Sequence, residues 1–145
     1  MMNKIAVVTG SSKGIGRAIV LAFARSKEYS CIVVNARKIE EAQSVSDEIK
    51  KSFSDWCDPI VVKADISKEA DYIKLIEETV NHYGRIDVLV NNAGVQEDIP
   101  FTETSIDEWY KIIEIDLTGP FVCSREAVKQ MQKHENPKCG CIIIY

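Results

Sequence analysis

The feature that most constrains this chain is a glycine-rich turn set between an apolar run and an amphipathic one. Ile5-Ala6-Val7-Val8 is continuously apolar, as expected of a short strand buried on both faces. It leads into Thr9-Gly10-Ser11-Ser12-Lys13-Gly14-Ile15-Gly16. Ile15, Ala18, Ile19, Ala22 and Phe23 then recur at helical spacing and predict one apolar stripe. The glycine spacing, Gly-x3-Gly-x-Gly, permits a tight turn, close approach of the backbone to a pyrophosphate and close packing of helix on strand. A helix start offers free N–H groups and the positive end of the helix dipole to such an anion. The Gly-Lys-Ser/Thr ending of a P-loop is missing.

The alternation of strand-like and helix-like segments continues to the end of the chain. Cys31-Ile32-Val33-Val34 reads as a second strand and residues 38 to about 53 as a second helix. Ile60-Val61-Val62 is a third strand running to Asp65, and Ser67 is expected to cap the helix after it. That helix carries Ile73, Ile76, Val80 and Tyr83 on one face, and Val88-Leu89-Val90 forms a fourth strand. A longer helix starts near Ser105 with a capping box, Ser105-x-x-Glu108. Its stripe is Trp109, Ile112, Ile113, Leu117 and Phe121, with a kink expected at Gly119-Pro120. Cys141-Ile142-Ile143-Ile144 is a fifth strand.

Strands separated by helices predict an α/β fold, a doubly wound parallel sheet of Rossmann type with helices on both faces. Residues 1–145 read as one nucleotide-binding domain with no repeat or linker. The fifth strand has nothing after it to cover an apolar edge, so the natural fold is expected to continue past Tyr145.

Composition narrows the function. Eighteen Lys and Arg against 22 Asp and Glu leave a net charge of −4, so a nucleic-acid partner is not expected. No apolar run approaches the ~20 residues of a membrane helix. Met1-Met2-Asn3-Lys4 does not read as a secretory leader. The five cysteines, an odd number at irregular spacing, make a poor disulfide framework. Cys139-x-Cys141 lacks a second ligand pair, so ordinary thiols are favoured over a metal site and no metal is assigned. A cytoplasmic setting fits this usage.

Several motifs in order resemble the short-chain dehydrogenase/reductase family, its 3-oxoacyl-carrier-protein reductases and glucose dehydrogenase-like members in particular. They are Thr-Gly-Ser-Ser-Lys-Gly-Ile-Gly, Asp65-Ile66 after the third strand, Asp87, Asn91-Asn92-Ala93-Gly94 after the fourth, and Leu117-Thr118-Gly119-Pro120-Phe121. The resemblance covers the whole chain. It implies an oxidoreductase that moves a hydride between a nicotinamide cofactor and a small carbonyl or alcohol, and a full-length form that is a homo-oligomer, dimer or tetramer. The cofactor residues it implies are Gly10, Ser12, Lys13, Gly14, Ile15, Gly16, Arg37, Asp65, Ile66, Asn92, Ala93 and Gly94.

An NAD-type site places a carboxylate at the end of the second strand for the ribose hydroxyls. Here Ala36 stands at that place and Arg37 follows. A guanidinium can meet a 2′-phosphate with a forked, charge-assisted contact, and Lys13 can approach from the other side. NADP(H) is therefore expected over NAD(H), the competing reading being two solvated surface charges.

The resemblance also implies a Ser beyond the fifth strand, a Tyr-x-x-x-Lys that moves the proton, and an Asn in the long helix. No Tyr-x-x-x-Lys occurs here, and Tyr72 and Tyr110 lie in helical segments. The Asn position holds Asp116, which falls among apolar residues of the stripe and is expected to point inward. It either replaces the Asn in a relay or is a variant in a chain that does not catalyse. The 145 residues are expected to be inactive alone, as the cofactor-binding part of such an enzyme. The alternative is a non-catalytic NADP(H)-binding half-domain or the product of a truncated gene.

Overall fold

The computed structural model of the chain describes residues 4–133 and 140–145; Met1, Met2, Asn3 and Cys139, used above, lie outside the described residues. Five strands form one sheet: β1 (Lys4–Val8), β2 (Tyr29–Ala36), β3 (Asp58–Lys63), β4 (Val88–Asn91) and β5 (Cys141–Ile144). Their order is β3-β2-β1-β4-β5 and every pairing is parallel. The helices between them are α1 (Gly14–Ser26), α2 (Ile39–Phe53), α3 (Glu69–Tyr83), α4 (Ile106–Ile113) and α5 (Gly119–Met131). This is the doubly wound Rossmann-type sheet that the alternation predicts.

The continuous apolar runs are the physical reason for burial on both faces. Successive side chains of a strand point to opposite sides. Val7, Val33 and Leu89 enter one core with Tyr72, Leu75 and Ile76 of α3 and Val122 and Cys123 of α5. Ala6, Val8, Ile32, Val34 and Val90 enter the other, with Val20 and Ala24 of α1 and Val45 and Ile49 of α2. Among the described residues no helix is long and apolar enough to cross a membrane.

The helix faces differ from the sequence reading. In α1 the buried residues are Gly16, Val20 and Ala24, while Ile15 is exposed. Gly16 packs directly on the loops after β1 and β4 and has no side chain to count, so the apolar pattern misplaces the stripe. In α3 the buried row is Tyr72, Leu75, Ile76 and Thr79. Ser67 does not cap α3, whose N-cap is Lys68; the Ser67 hydroxyl donates to Asp65 Oδ1 at 2.8 Å.

The long helix differs most. The capping box at Ser105 and Glu108 is formed, but a π-helical turn at Glu114–Thr118 separates α4 from α5. Pro120 supplies no N–H and its ring crowds the carbonyl four residues back, so a widened turn just before it is its physical accommodation. The extra residue in that turn rotates the pattern. Ile115 is buried, whereas Trp109, Leu117 and Phe121 are exposed. Asp116 is accordingly exposed and does not point into the core.

Candidate nucleotide site

The chain runs outward from β1 through β2 to β3, then returns to lay β4 against the other side of β1. The loops leaving β1 and β4 therefore part in opposite directions. In open α/β sheets such a switch point at the carboxyl ends of the strands is where ligands sit. A cleft of about 840 Å³ opens there, a size usual for small-molecule and cofactor sites.

Its floor is held by side chains that bind backbone. Asn35 ends β2 buried and uses both sides of its amide. Its Oδ1 accepts from Gly10 N–H at 3.0 Å, and its Nδ2 donates to the carbonyls of Val62 and Ala64 at 3.1 and 3.2 Å. Ser11 Oγ donates to the Val8 carbonyl at 2.8 Å and accepts from Asn35 N–H at 2.9 Å. Thr9 Oγ1 accepts from the backbone N–H groups of Asn92 and Ala93 at 3.0 and 2.9 Å. Asn92 Nδ2 donates back to the Thr9 and Gly10 carbonyls at 2.9 and 3.2 Å. The loop after β1 is thereby joined to those after β2, β3 and β4.

Two glycines are required by this construction. Gly10 takes φ +60°, and a Cβ there would lie 2.9 Å from Ala93 Cα. A Cβ on Gly16 would lie 2.5 Å from both Asn92 Nδ2 and the Gly10 carbonyl oxygen. Neither gap has room for a methyl group. Gly14 takes φ +55°, which also favours glycine, but an added Cβ there would meet nothing within 4 Å, so that position faces open space. A backbone cradle with a free approach is what a phosphate-bearing ligand needs, so the residues present fit a nucleotide.

The structure brings Gly10, Ser12, Lys13, Gly14, Ile15, Gly16, Arg37, Asp65, Ile66, Asn92, Ala93, Gly94 and Asp116 to the walls of this one cleft. Lys13 and Arg37 are exposed, and Ala36 beside Arg37 is buried. Burial draws the Asp65 carboxyl upward, but hydrogen bonds from the Ser67 N–H and hydroxyl, with Lys68 and Arg37 nearby, outweigh it and leave its pKa below the ordinary value. Asp65 N–H donates to Asp71 Oδ2 at 2.8 Å, which fixes the turn. Ile66 is mostly buried; its carbonyl accepts from the Tyr72 hydroxyl, whose pKa burial pushes up. Asp116 Oδ1 accepts from Val95 N–H at 3.0 Å and so ties the π turn to the loop after β4.

Other residues have structural places. Asp87 is buried, accepting from Ile5 N–H at 2.9 Å and pairing with Arg85. Asn91 Nδ2 donates to Ser124 Oγ at 3.1 Å. Tyr72 is buried and Tyr110 exposed, neither within the cleft. Among the described cysteines, Cys57 and Cys123 are buried free thiols, each pushed up to about 12 by burial. The sequence reading missed Asn35 and Glu41, which also lines the cleft. A polar residue closing an otherwise apolar strand was the available signal for Asn35; nothing in the pattern singled out Glu41 among the acids of α2.

A parallel sheet with a glycine cradle at its switch point defines a dinucleotide-binding type of fold. The short chain dehydrogenase family profile matches residues 4–144, and the chain belongs to that family. It is 40% identical over 134 residues, 92% of its length, to an uncharacterized oxidoreductase of Bacillus subtilis, and covers 19% of that protein. It is 39% identical over 131 residues to an uncharacterized oxidoreductase of Thermotoga maritima, covering 90% of this chain and 49% of that one. Among solved structures, an alcohol dehydrogenase from the archaeon Thermococcus sibiricus, complexed with 5-hydroxy-NADP, superposes with a TM-score of 0.83 at 27% identity over 90% of this chain and 54% of that one. A chain from Sinorhizobium meliloti 1021 designated a short-chain alcohol dehydrogenase gives 0.86 at 26% identity, over 98% and 53%. The chain thus spans about half the length of these structural relatives, and half or less of the curated ones.

Proposed function

We propose that residues 1–145 act as one nucleotide-binding unit of an oxidoreductase that moves a hydride between NADP(H) and a small carbonyl or alcohol. NADP(H) is preferred over NAD(H) in this reading. The observation that carries it is the lip of the cleft beyond β2. Buried Ala36 stands where a carboxylate would meet ribose hydroxyls, and exposed Arg37 follows, lining the same cleft as Lys13. The likeness to an alcohol dehydrogenase solved with 5-hydroxy-NADP supports the same cofactor class.

When bound, the nicotinamide group supplies or accepts the hydride. The chain's own residues hold the ligand. The backbone of Gly14, Ile15 and Gly16 at the start of α1 faces the pyrophosphate, where N–H groups and helix dipole favour negative charge. Arg37, Lys13 and Ser12 take the 2′-phosphate. Asp65 and Ile66 border the adenine, and Asn92, Ala93 and Gly94 shape the nicotinamide end. Asp116 stands at the family's helix-Asn position and orients the loop through Val95 N–H. No Tyr-x-x-x-Lys occurs within these residues, so we assign binding to them and turnover to the whole protein, in a homo-oligomeric, cytoplasmic form.

Titration calorimetry with NADPH and NADH tests this. A charged hydrogen bond is worth about 1.5–3 kcal/mol, so Arg37→Ala should weaken NADPH roughly ten- to a hundredfold and move NADH less than twofold. Equal NADPH and NADH affinities in the wild-type chain, unchanged by Arg37→Ala, would reject the NADP(H) assignment.

A further inference from the structure

The lip that carries Arg37 is not purely cationic. Glu41, in the first turn of α2, lines the same cleft as Ser12, Lys13, Arg37 and Lys38. Its carboxylate engages Ser12, one of the groups assigned above to the phosphate, and Lys38, a further cation of the same lip. Ser12 Oγ donates to Glu41 Oε2 at 3.4 Å, and Lys38 Nζ stands 3.9 Å from Glu41 Oε1. These are long contacts between solvated side chains, with Glu41 49% and Lys38 76% exposed, so both can be exchanged for a ligand.

We propose that Glu41 is a specificity-determining residue of this cleft: it competes with a 2′-phosphate for Ser12 and Lys38 and repels its charge, which holds down the preference for NADP(H). The proposal rests on the cofactor reading above. A phosphate monoester carries about −1.5 to −2 charge at neutral pH, and a carboxylate within a side chain's reach disfavours it. A ribose 2′-hydroxyl is uncharged and meets no such repulsion. Glu41 therefore acts on the ratio of the two affinities rather than on both alike.

Acidic residues in a first helical turn also favour the helix itself. Glu40 supplies an internal control for that role. It sits in the same turn with the same charge but faces another surface, with Gln43, Ser44 and Asp47.

The test is calorimetric titration of the chain and its Glu41→Gln and Glu40→Gln variants with NADPH, NADH, 2′,5′-ADP and 5′-AMP. Glu41→Gln should tighten NADPH and 2′,5′-ADP about tenfold, equivalent to 1.4 kcal/mol, and move NADH and 5′-AMP less than twofold. Glu40→Gln should move none of the four beyond twofold. If the wild-type chain prefers NADPH and Glu41→Gln changes it no more than Glu40→Gln does, the proposal is overturned while the cofactor reading stands. If Glu41→Gln instead weakens NADH tenfold without strengthening NADPH, Glu41 is a ribose acceptor and the proposal is overturned. If the wild-type chain does not distinguish 2′,5′-ADP from 5′-AMP, the cofactor reading itself falls and takes the proposal with it.

Discussion

Asn35→Ala removes a side chain that joins three loops of the cleft. Its amide serves Gly10 N–H and the carbonyls of Val62 and Ala64. A buried polar group left without its partner costs about 1–3 kcal/mol. Gly10 is half-buried and can recruit water, so it contributes little to the loss. Val62 and Ala64 are buried, and at the low end of the range, with the packing of the lost amide, they bring the total to about 3 kcal/mol. With an m-value of about 2 kcal/mol/M, urea unfolding should show the midpoint falling by about 1.5 M at unchanged slope. Asn35→Asp keeps the shape and the Gly10 acceptor but turns an oxygen toward two carbonyls. That desolvated carboxylate has a raised folded pKa, so its penalty is present at neutral pH and is relieved as pH falls through that value. A midpoint for Asn35→Ala within about 0.3 M of wild type, a difference of roughly 0.6 kcal/mol, would refute the account of how the cleft is built.

Two further outcomes follow from the same geometry. Gly16→Ala places a methyl against Asn92 Nδ2 and the Gly10 carbonyl; overpacking of this kind costs about 1–3 kcal/mol, and thermal unfolding should fall by several degrees while NADPH affinity drops, an unchanged Tm being the contrary result. The Asp65 carboxyl is held below its ordinary pKa, so its contribution is present at neutral pH and is lost as pH falls through its depressed folded value. Asp65→Asn should therefore flatten the acid limb of a stability–pH profile, and parallel acid limbs for the two proteins would contradict the assignment.

Much of the fold was legible because each strand is a short apolar run bounded by turn residues, and that pattern survives whatever packs on it. Ile5-Ala6-Val7-Val8 reads as buried on both faces and is so. Helix faces were less legible for two local reasons. Gly16, packed against the loops after β1 and β4, has no side chain to count. At Glu114–Thr118 the π turn adds a residue that no 3.6-residue period contains, and this is why Asp116 reaches the cleft while Ile115 takes the buried place. The cleft's glycines were legible from spacing, and Asn92 from the family resemblance. Asn35 was not, because its role depends on Val62 and Ala64, which lie beside it only once β3 has paired with β2.

The cleft divides its polar residues into two groups with different physical duties. Thr9, Ser11, Asn35 and Asn92 spend their side chains on backbone groups of neighbouring loops. Substituting them disturbs the floor, and every ligand resting on that floor is affected alike. Ser12, Lys13 and Arg37 on the same loops, and Glu41 in the first turn of α2, stand on the solvent side and hold no backbone hydrogen bond through their side chains among the described contacts. Substituting these leaves the floor in place and changes the charge a ligand meets. Exposed pairs contribute little to stability, so this second group can vary at small structural cost. Under the proposed function, discrimination between ligands that differ by one phosphate therefore falls to the solvent-side group, and the capacity to hold a dinucleotide at all falls to the buried one.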